Sequence, residues 1–541
     1  MQKNCRKPSK ILDFQGHLWY NKYMENEVKN SANASEDLVA LRSENEKLKA
    51  ENRDLKQTLE QLMEQIRLAR HKRFGASSEK NAEAEQLSIF NEAEIYEDAE
   101  KAEEKLTVVA GHTRRKKKEY TLDKLPEGIP VEIVEHRIPE SKLACPQCGE
   151  TMTPIGKEVT RKLKIIPART VIVEDHYYSY ACRNCEKENI QTPVLKAPKE
   201  KGVISGSFAT PEAIAHLMVQ KYVMGSPLYR QEQELNRQGI TLTRQTRSNW
   251  MLTASKLYLT PVWERLHTEL LGREVLHADE TTLQVLHEEG KKAQSKSYLW
   301  LYRTSGDTDK PIVLCEYQPS RSGENARSFL SGFKGYLHTD GYAGYHNFSD
   351  DITVVGCWAH ARRRFDEAVK SLPKDKKKGS SAAQGLAYCD RLFALEKEFA
   401  KLTPEERYEQ RLKQEKTVLD AFSAWAEKRT VAPKSALGKA MSYLKDQWPY
   451  LTNYLKDGRL EISNNRAERS IKSYVIDRKN FLFANTPSGA AGSAVMFSLI
   501  MTALENKLDP WRYLTWLMKN SDTVKDVEEL LPWNAPDACK I

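Results

Sequence analysis

Leucine recurs every seven residues through Leu41, Leu48, Leu55 and Leu62, the clearest periodicity in the chain. With these at d, Leu38, Asn45, Asn52, Leu59 and Ile66 fall at a. The flanking pairs Glu44 with Lys49 and Glu51 with Lys56 attract across a parallel dimer, and Asn at a specifies register and oligomer state. The pattern predicts a coiled coil over 35–74; one amphipathic helix packed on its own chain is the plainer alternative. The helix runs into Arg67, Arg70, His71, Lys72 and Arg73 and stops at Gly75. Apolar positions then thin out, and an acidic stretch from Glu79 to Glu104 reads as solvated linker. A basic run, Arg114 to Lys118, follows it. The resulting frame is an N-terminal extension at 1–34, the coiled coil, and a charged linker at 75–119.

Beyond the linker the period changes. The β-branched run Thr170–Val173 and the aromatic run Tyr177–Tyr180 predict strands within a small domain at 120–204. Three helical patterns follow, at 211–222, 227–238 and 243–255, with Gly239 in the last turn and Thr243 as an N-cap. They suggest a helix-turn-helix-like DNA-binding domain at 205–265. Its third helix carries Arg244, Gln245, Arg247, Ser248 and Asn249, side chains able to reach base edges or phosphates. A plain helical bundle has the same apolar spacing. From 274 the pattern becomes that of strands: 274–279 continuing into 281–286, then 297–303 and 311–317. A helix at 324–333 and strands at 335–340 and 352–357 complete the order of an RNase H-like α/β core. That core is expected in two parts, 266–375 and 457–519, split by a helical insertion at 376–456 and followed by a C-terminal tail at 520–541. Inside the insertion, Thr403-Pro404-Glu405-Glu406 reads as an N-cap, a Pro at N1 and a capping-box Glu. The fold class is multidomain α+β.

Composition adds limits. The chain has 541 residues and a net charge of +9, a mildly basic balance that permits an anionic partner without proving one. Of nine cysteines, Cys5, Cys315, Cys357, Cys389 and Cys539 are scattered. The other four form two pairs, Cys145-Pro-Gln-Cys148 and Cys182-Arg-Asn-Cys185. Four thiolates on two tight turns close a tetrahedral Zn²⁺ site, which leaves no position for a substrate, so this zinc is structural. The pattern suits a reducing compartment rather than a disulfide framework. No apolar run of membrane-spanning length and no secretion signal stand out, so a cytoplasmic, nucleoid-associated protein is expected.

Catalysis must then lie in the core. Asp279 sits in His277-Ala-Asp-Glu-Thr, Asp340 in His338-Thr-Asp-Gly-Tyr-Ala-Gly-Tyr, and Glu468 in Ser463-Asn-Asn-Arg-Ala-Glu-Arg-Ser. An RNase H-like order brings three such carboxylates together, where they can hold two hard cations, Mg²⁺ or Mn²⁺. Glu280 faces the opposite side of its strand. Each residue has a plainer reading: Asp340 as a turn residue before Gly341, Glu468 as a surface partner of Lys472. His360, Arg362, Arg363 and Arg364 after the fifth strand, and Arg469, Lys472, Arg478 and Lys479 after Glu468, read as phosphate contacts or as helix-surface charge.

These segments resemble the insertion-sequence transposases of the IS-sixty-six type over nearly the whole chain. The matching stretches include Arg73-Phe-Gly-Ala-Ser-Ser-Glu-Lys, Gly111-His-Thr-Arg-Arg-Lys, the four-cysteine module with Ile165-Ile-Pro-Ala-Arg, and Pro227-Leu-Tyr-Arg-Gln-Glu. Cys357-Trp-Ala-His-Ala-Arg-Arg, Asn464-Asn-Arg-Ala-Glu-Arg and Arg478-Lys-Asn-Phe-Leu-Phe continue the match. The resemblance implies a DDE transposase that binds the ends of its own mobile element and catalyses metal-dependent strand cleavage and transfer. It supports Asp279, Asp340 and Glu468 as the triad, and implies DNA ends and target DNA, a homodimer or higher oligomer, and accessory proteins of the same element as partners. Residues 1–23 and the insertion match nothing in the pattern; the insertion is expected to cover the active site or grip flanking DNA. The main rival is a dimeric sequence-specific DNA-binding regulator with an inactive nuclease-like core, against which the intact triad argues. The N-terminal targeting region argues against another RNase H-like nuclease, and no nucleophile constellation suggests a covalent recombinase.

Overall fold

The computed structural model describes residues 43–56, 58–70, 170–181, 194–199 and 201–541. The four paired cysteines, the charged linker and the extension 1–34 lie outside the described residues. The chain divides into two units, one of residues 1–80 with 201–541 and one of 81–200. In the second unit, strands β1 (Ser179–Ala181) and β2 (Val194–Lys196) pair antiparallel. Thr170–Val173 does not form the expected strand. β-branched residues make a strand only where a neighbour completes the hydrogen-bond ladder, and among the described residues none does.

The first unit is built on a five-stranded mixed sheet, ordered β5-β4-β3-β6-β7. Its strands are β3 (Val275–Gln284), β4 (Lys296–Thr304), β5 (Val313–Gln318), β6 (Gly335–His338) and β7 (Ile352–Val355). β4 runs antiparallel to both β3 and β5; β6 and β7 extend β3 in parallel. β4 is buried on both faces, which explains its unbroken Tyr298-Leu-Trp-Leu-Tyr302 run.

One long helix, Pro487–Glu505, covers edge strand β5. Its Ser498 hydroxyl accepts from Cys315 N (2.7 Å), and its Thr502 hydroxyl accepts from Val313 N (3.0 Å) and donates to Val313 O (2.9 Å). An open sheet edge is thereby satisfied by side chains. This helix also corrects the expectation that no long apolar run exists: it is long and apolar enough to cross a membrane. Its apolarity is explained by burial, since Met496, Phe497, Leu499 and Ile500 all lie in the core.

The same core takes in the helix-turn-helix candidates α1 (Pro211–Tyr222), α2 (Leu228–Arg237) and α3 (Arg244–Ala254), then α4 (Thr260–Leu271). Tyr222 Oη donates to Ser493 Oγ at 2.8 Å, tying α1 to the long helix. At the end of the expected core, helix Pro510–Asn520 packs on α1. The C-terminal residues after it are not a loose end: Leu530, Leu531 and Cys539 are buried, and Tyr513 Oη donates to Leu530 O.

The insertion forms a helical bundle with its own core. Helix α5 (Gly323–Phe329) belongs to the core around the sheet through Ala326 and Phe329. The insertion core is shared with the preceding α6 (Trp358–Ser371); the insertion's own helices are α7 (Ser381–Phe399), α8 (Pro404–Gln410), α9 (Lys416–Glu427) and α10 (Ala436–Leu451), of which α7, α9 and α10 pack with α6. The capping box at Thr403 and Glu406 forms as the sequence indicates. Residues 43–56 and 58–70 are helical. Near the end of that segment, Arg67 Nε donates to Ser371 O (2.5 Å), and Glu64 accepts from Ala436 N (3.0 Å). Leu48, Leu55, Leu59, Leu62 and Ile66 stay exposed on the single chain.

Candidate active site

The three carboxylates lie on the sheet and on one helix, α11 (Asn465–Phe481), which packs on β3. β3 carries Asp279 mid-strand, Asp340 follows the end of β6, and Glu468 lies in the first turn of α11. The expected strand end at Asp340 is shorter than read, since β6 stops at His338; Asp340 sits in the turn before Gly341, whose φ of +89° suits glycine.

Two buried histidines lock the strands together one step before these acids. His277 and His338 are register partners on β3 and β6, and their rings stack 4.3 Å apart at 9°. Burial lowers the His277 pKa to about 3 and that of His338 well below its usual value, so both rings are neutral. Asn464, fully buried just before α11, ties the helix to β3. Its Nδ2 donates to Ala278 O (2.8 Å), which leaves its Oδ1 to accept from His277 Nδ1 at 2.9 Å. Its backbone N donates to Cys357 Sγ at 3.2 Å. Asn464 thus joins three elements of the site.

Glu280 points away from Asp279, as strand alternation requires. Its carboxylate accepts from Arg321 Nε (2.7 Å) and from Tyr345 Oη (2.6 Å). The Arg321 guanidinium lies 3.9 Å from the Tyr342 ring centroid. The Asp340-Gly-Tyr-Ala-Gly-Tyr turn is therefore clamped from β3. It is also held by the insertion, because Tyr443 Oη on α10 donates to Asp340 O at 3.0 Å.

The electrostatics favour a cation. The Asp279 pKa is raised well above the carboxylate range, first by burial, then by the charges of Glu280, Asp340 and Glu468. Glu468 Oε1 and His360 Nδ1 lie 3.6 Å apart, and both are buried without a hydrogen-bond partner. Both groups can ligate a cation. Cys357, His360 and Glu468 place ligand atoms within 4.8 Å of one another. Burial raises the Cys357 thiol to about 12, which keeps it a neutral acceptor for Asn464 N–H. A hard divalent cation on the carboxylates fits this donor set better than a thiolate-bound metal.

The proposed DNA contacts divide. Arg244, Gln245 and Asn249 are exposed on α3, with Gln245 Nε2 donating to Asn249 Oδ1. Arg247 is corrected: it is fully buried, and its guanidinium donates to Leu242 O (2.9 Å) and lies 3.6 Å from Glu232. Helical spacing turns it inward to fasten α3 to its turn, out of reach of DNA. Arg362 donates to Asp390 of α7 at 2.6 Å. Arg363 reaches Glu468 Oε2 at 3.7 Å, and Arg364 lies over the Tyr443 ring. Arg469 and Lys479 are exposed on α11, while Arg478 donates to Thr281 and Thr282. Sequence reasoning missed Asn464 and the histidine pair as parts of the site. The repeated His-x-Asp in His277-Ala-Asp279 and His338-Thr-Asp340 was the available signal.

Three family models match the chain. The model of the Transposase IS66 family matches residues 206–492, which hold all three carboxylates. The zinc-finger binding domain of transposase IS66 matches 142–186, which hold all four paired cysteines. A model described as transposase C of IS166 homeodomain matches 61–134. Among relatives, uncharacterized protein y4jD of Sinorhizobium fredii is 31% identical over 73% of this chain and 78% of its own length. Uncharacterized protein y4hP of the same organism is 29% identical over 74% of each. The chain carries transposase, zinc-finger and DNA-binding modules in one polypeptide, and it belongs to the IS66 family of transposases.

Proposed function

We propose that this chain is a DDE transposase with an RNase H-like core, which binds the ends of its own element and cuts and rejoins DNA strands. The observation that carries the reading is the placement of Asp279 on β3, Asp340 just past the adjoining β6 and Glu468 on α11, which packs on β3, all within the span matched by the Transposase IS66 family. Asp279, Asp340 and Glu468 would hold two divalent cations, Mg²⁺ or Mn²⁺. When bound, such cations activate an attacking oxygen and stabilise the leaving one. The chain's own residues do the rest. Asn464 and the His277–His338 stack fix the three acids relative to one another. The Glu280–Arg321 clamp and Tyr443 hold the turn of Asp340. Arg363, beside Glu468, offers positive charge to a phosphate. Arg244, Gln245 and Asn249 face DNA from α3, with Arg469 and Lys479 along α11. Cys145, Cys148, Cys182 and Cys185 hold a structural zinc, and the heptads of 35–74 pair two chains on two DNA ends. Accessory proteins of the same element would complete the machinery.

The test is cleavage of duplex DNA carrying the ends of the element that encodes the chain, with and without Mg²⁺. Mg²⁺-dependent cuts at the ends support the reading. Specific binding without cleavage in either cation would replace it with a DNA-binding regulator.

A further inference from the structure

The last turn of α11 ends in an exposed apolar tip that the fold holds rigid. Leu482 has φ +63° and ψ −51°, and Phe483 N donates to Phe481 O at 2.8 Å. This is the rare, strained hand of the γ-turn, here on a branched residue. Strain of this kind persists only where surrounding contacts over-determine it, and it gathers at functional sites.

Both flanks are pinned. On one side, the Phe481 ring packs edge-on against Tyr222 and Tyr474. Gly225 lies so close to Asp477 and Asn480 that a Cβ there would sit 2.8 Å from each side chain. On the other side, Ala484 N donates to Gln284 O (2.9 Å) and Leu286 N donates to Ala484 O (3.1 Å), prolonging β3. Leu482 and Phe483 alone stand out between these anchors, 61% and 44% exposed. Isolated exposed apolar residues are ordinary; two adjacent ones on a strained, doubly pinned turn are not.

Their surroundings are basic. Lys479 is exposed one turn before the tip, and Lys221 lies 5.2 Å from the Phe481 ring centroid. The tip also shares its helix with Glu468, which precedes Leu482 by 14 positions. At 1.5 Å per residue that is about 21 Å along α11, or about six base pairs at 3.4 Å each.

We propose that Leu482 and Phe483 form an apolar wedge that receives an unstacked base of bound DNA, about six base pairs from the phosphate at the carboxylates. The inference rests on the DNA-cutting reading above. Apolar side chains inserted at base steps, framed by cations on the phosphates, are a known way of trading stacking for protein contact.

The test compares two duplex oligonucleotides of one sequence, one fully paired and one carrying a single unpaired base. The parent chain should prefer the second by about 5- to 150-fold, the range that stacking on one base supplies. L482A with F483A should lose that preference and keep its affinity for the paired duplex. L482G relaxes the backbone strain, so its thermal midpoint should hold or rise while the preference falls, which separates lost wedging from lost folding. No preference in the parent, or the same preference in the variants, overturns the wedge even if Mg²⁺-dependent cleavage is intact. A preference that depends on the tip, in a chain that cuts no DNA, leaves the wedge standing and removes the catalytic reading.

Discussion

Asn464 uses both ends of its side chain, the amide N–H donating to Ala278 O and the carbonyl oxygen accepting from His277. Asn464→Ala orphans a buried donor and a buried acceptor, at about 1–3 kcal/mol each. It should also loosen the carboxylates, lowering cleavage about 10- to 100-fold and raising the Mg²⁺ concentration needed for half-maximal rate. A variant with a lower melting temperature but an unchanged Mg²⁺ requirement would reduce Asn464 to a fold residue. Arg244 and Arg247 make a second contrast, three positions apart on one helix. Arg244→Ala should weaken DNA binding and reduce the salt slope by about 1. Arg247→Met should destabilise the fold, because Glu232 and the Leu242 carbonyl lose their partner. Equal effects of both on the salt slope would contradict the inward placement of Arg247. The acids stand out in the sequence because each sits in a short, unusual polar string, and the structure sets them on β3, after β6 and on α11. Asn464 and Arg247 do not stand out, because exposed and buried polar residues look alike until the packing is known.

At the scale of elements, the insertion stores an unusual buried cluster. Arg411 makes a bidentate pair with Glu396, both bonds 2.7 Å, and donates to the carbonyls of Tyr454, Asp457 and Leu460. Glu415 beside it accepts from Tyr454 Oη at 2.7 Å. Burial, reinforced by the Glu396 charge, pushes the Glu415 carboxyl up to about 8. Its folded pKa thus lies above the unfolded value of about 4.3. The folded chain holds a proton that the unfolded chain releases, so this stabilisation is full below the unfolded pKa and is lost as pH rises through about 8. Glu415→Gln should flatten the fall in melting temperature between about pH 5 and pH 8; an unchanged slope would place the titration elsewhere.

The coiled coil belongs to the same scale. Its leucines are exposed on a single chain, as a dimer seam would be before pairing. Leu48→Pro should leave a fragment of 35–74 monomeric in sedimentation and cost two-end cleavage more than one-end binding. Paired-end cleavage at the parental rate would assign the heptads another task. Elements with strong alternation were read nearly to the residue: β3, β4 and β5 are all where the pattern put them. Thr170–Val173 was misread because a ladder partner, unlike a side-chain period, leaves no local mark.

Across the whole first unit, the parts read separately from sequence are interlocked. The N-terminal helical segment ends on Ser371 and Ala436. Those residues close α6 and open α10, the same two helices that present His360 and Arg363 to Glu468 and Tyr443 to Asp340. The helices of the insertion core, whose role the sequence did not disclose, thus reach from the N-terminal helical segment to Asp340 and Glu468. Long-range contacts of this kind arise from tertiary packing, which no window of sequence contains. The central claim is that Asp279, Asp340 and Glu468 act as one unit. It is tested most directly by measuring Mg²⁺-dependent cleavage of element-end DNA by Asp279→Asn, Asp340→Asn, Glu468→Gln and their pairwise combinations, with DNA binding measured alongside. Each single variant should bind DNA like the parent and lose roughly 10⁴-fold in cleavage rate, with the pairs no worse than the singles. Parental cleavage by any one of the three would contradict the account.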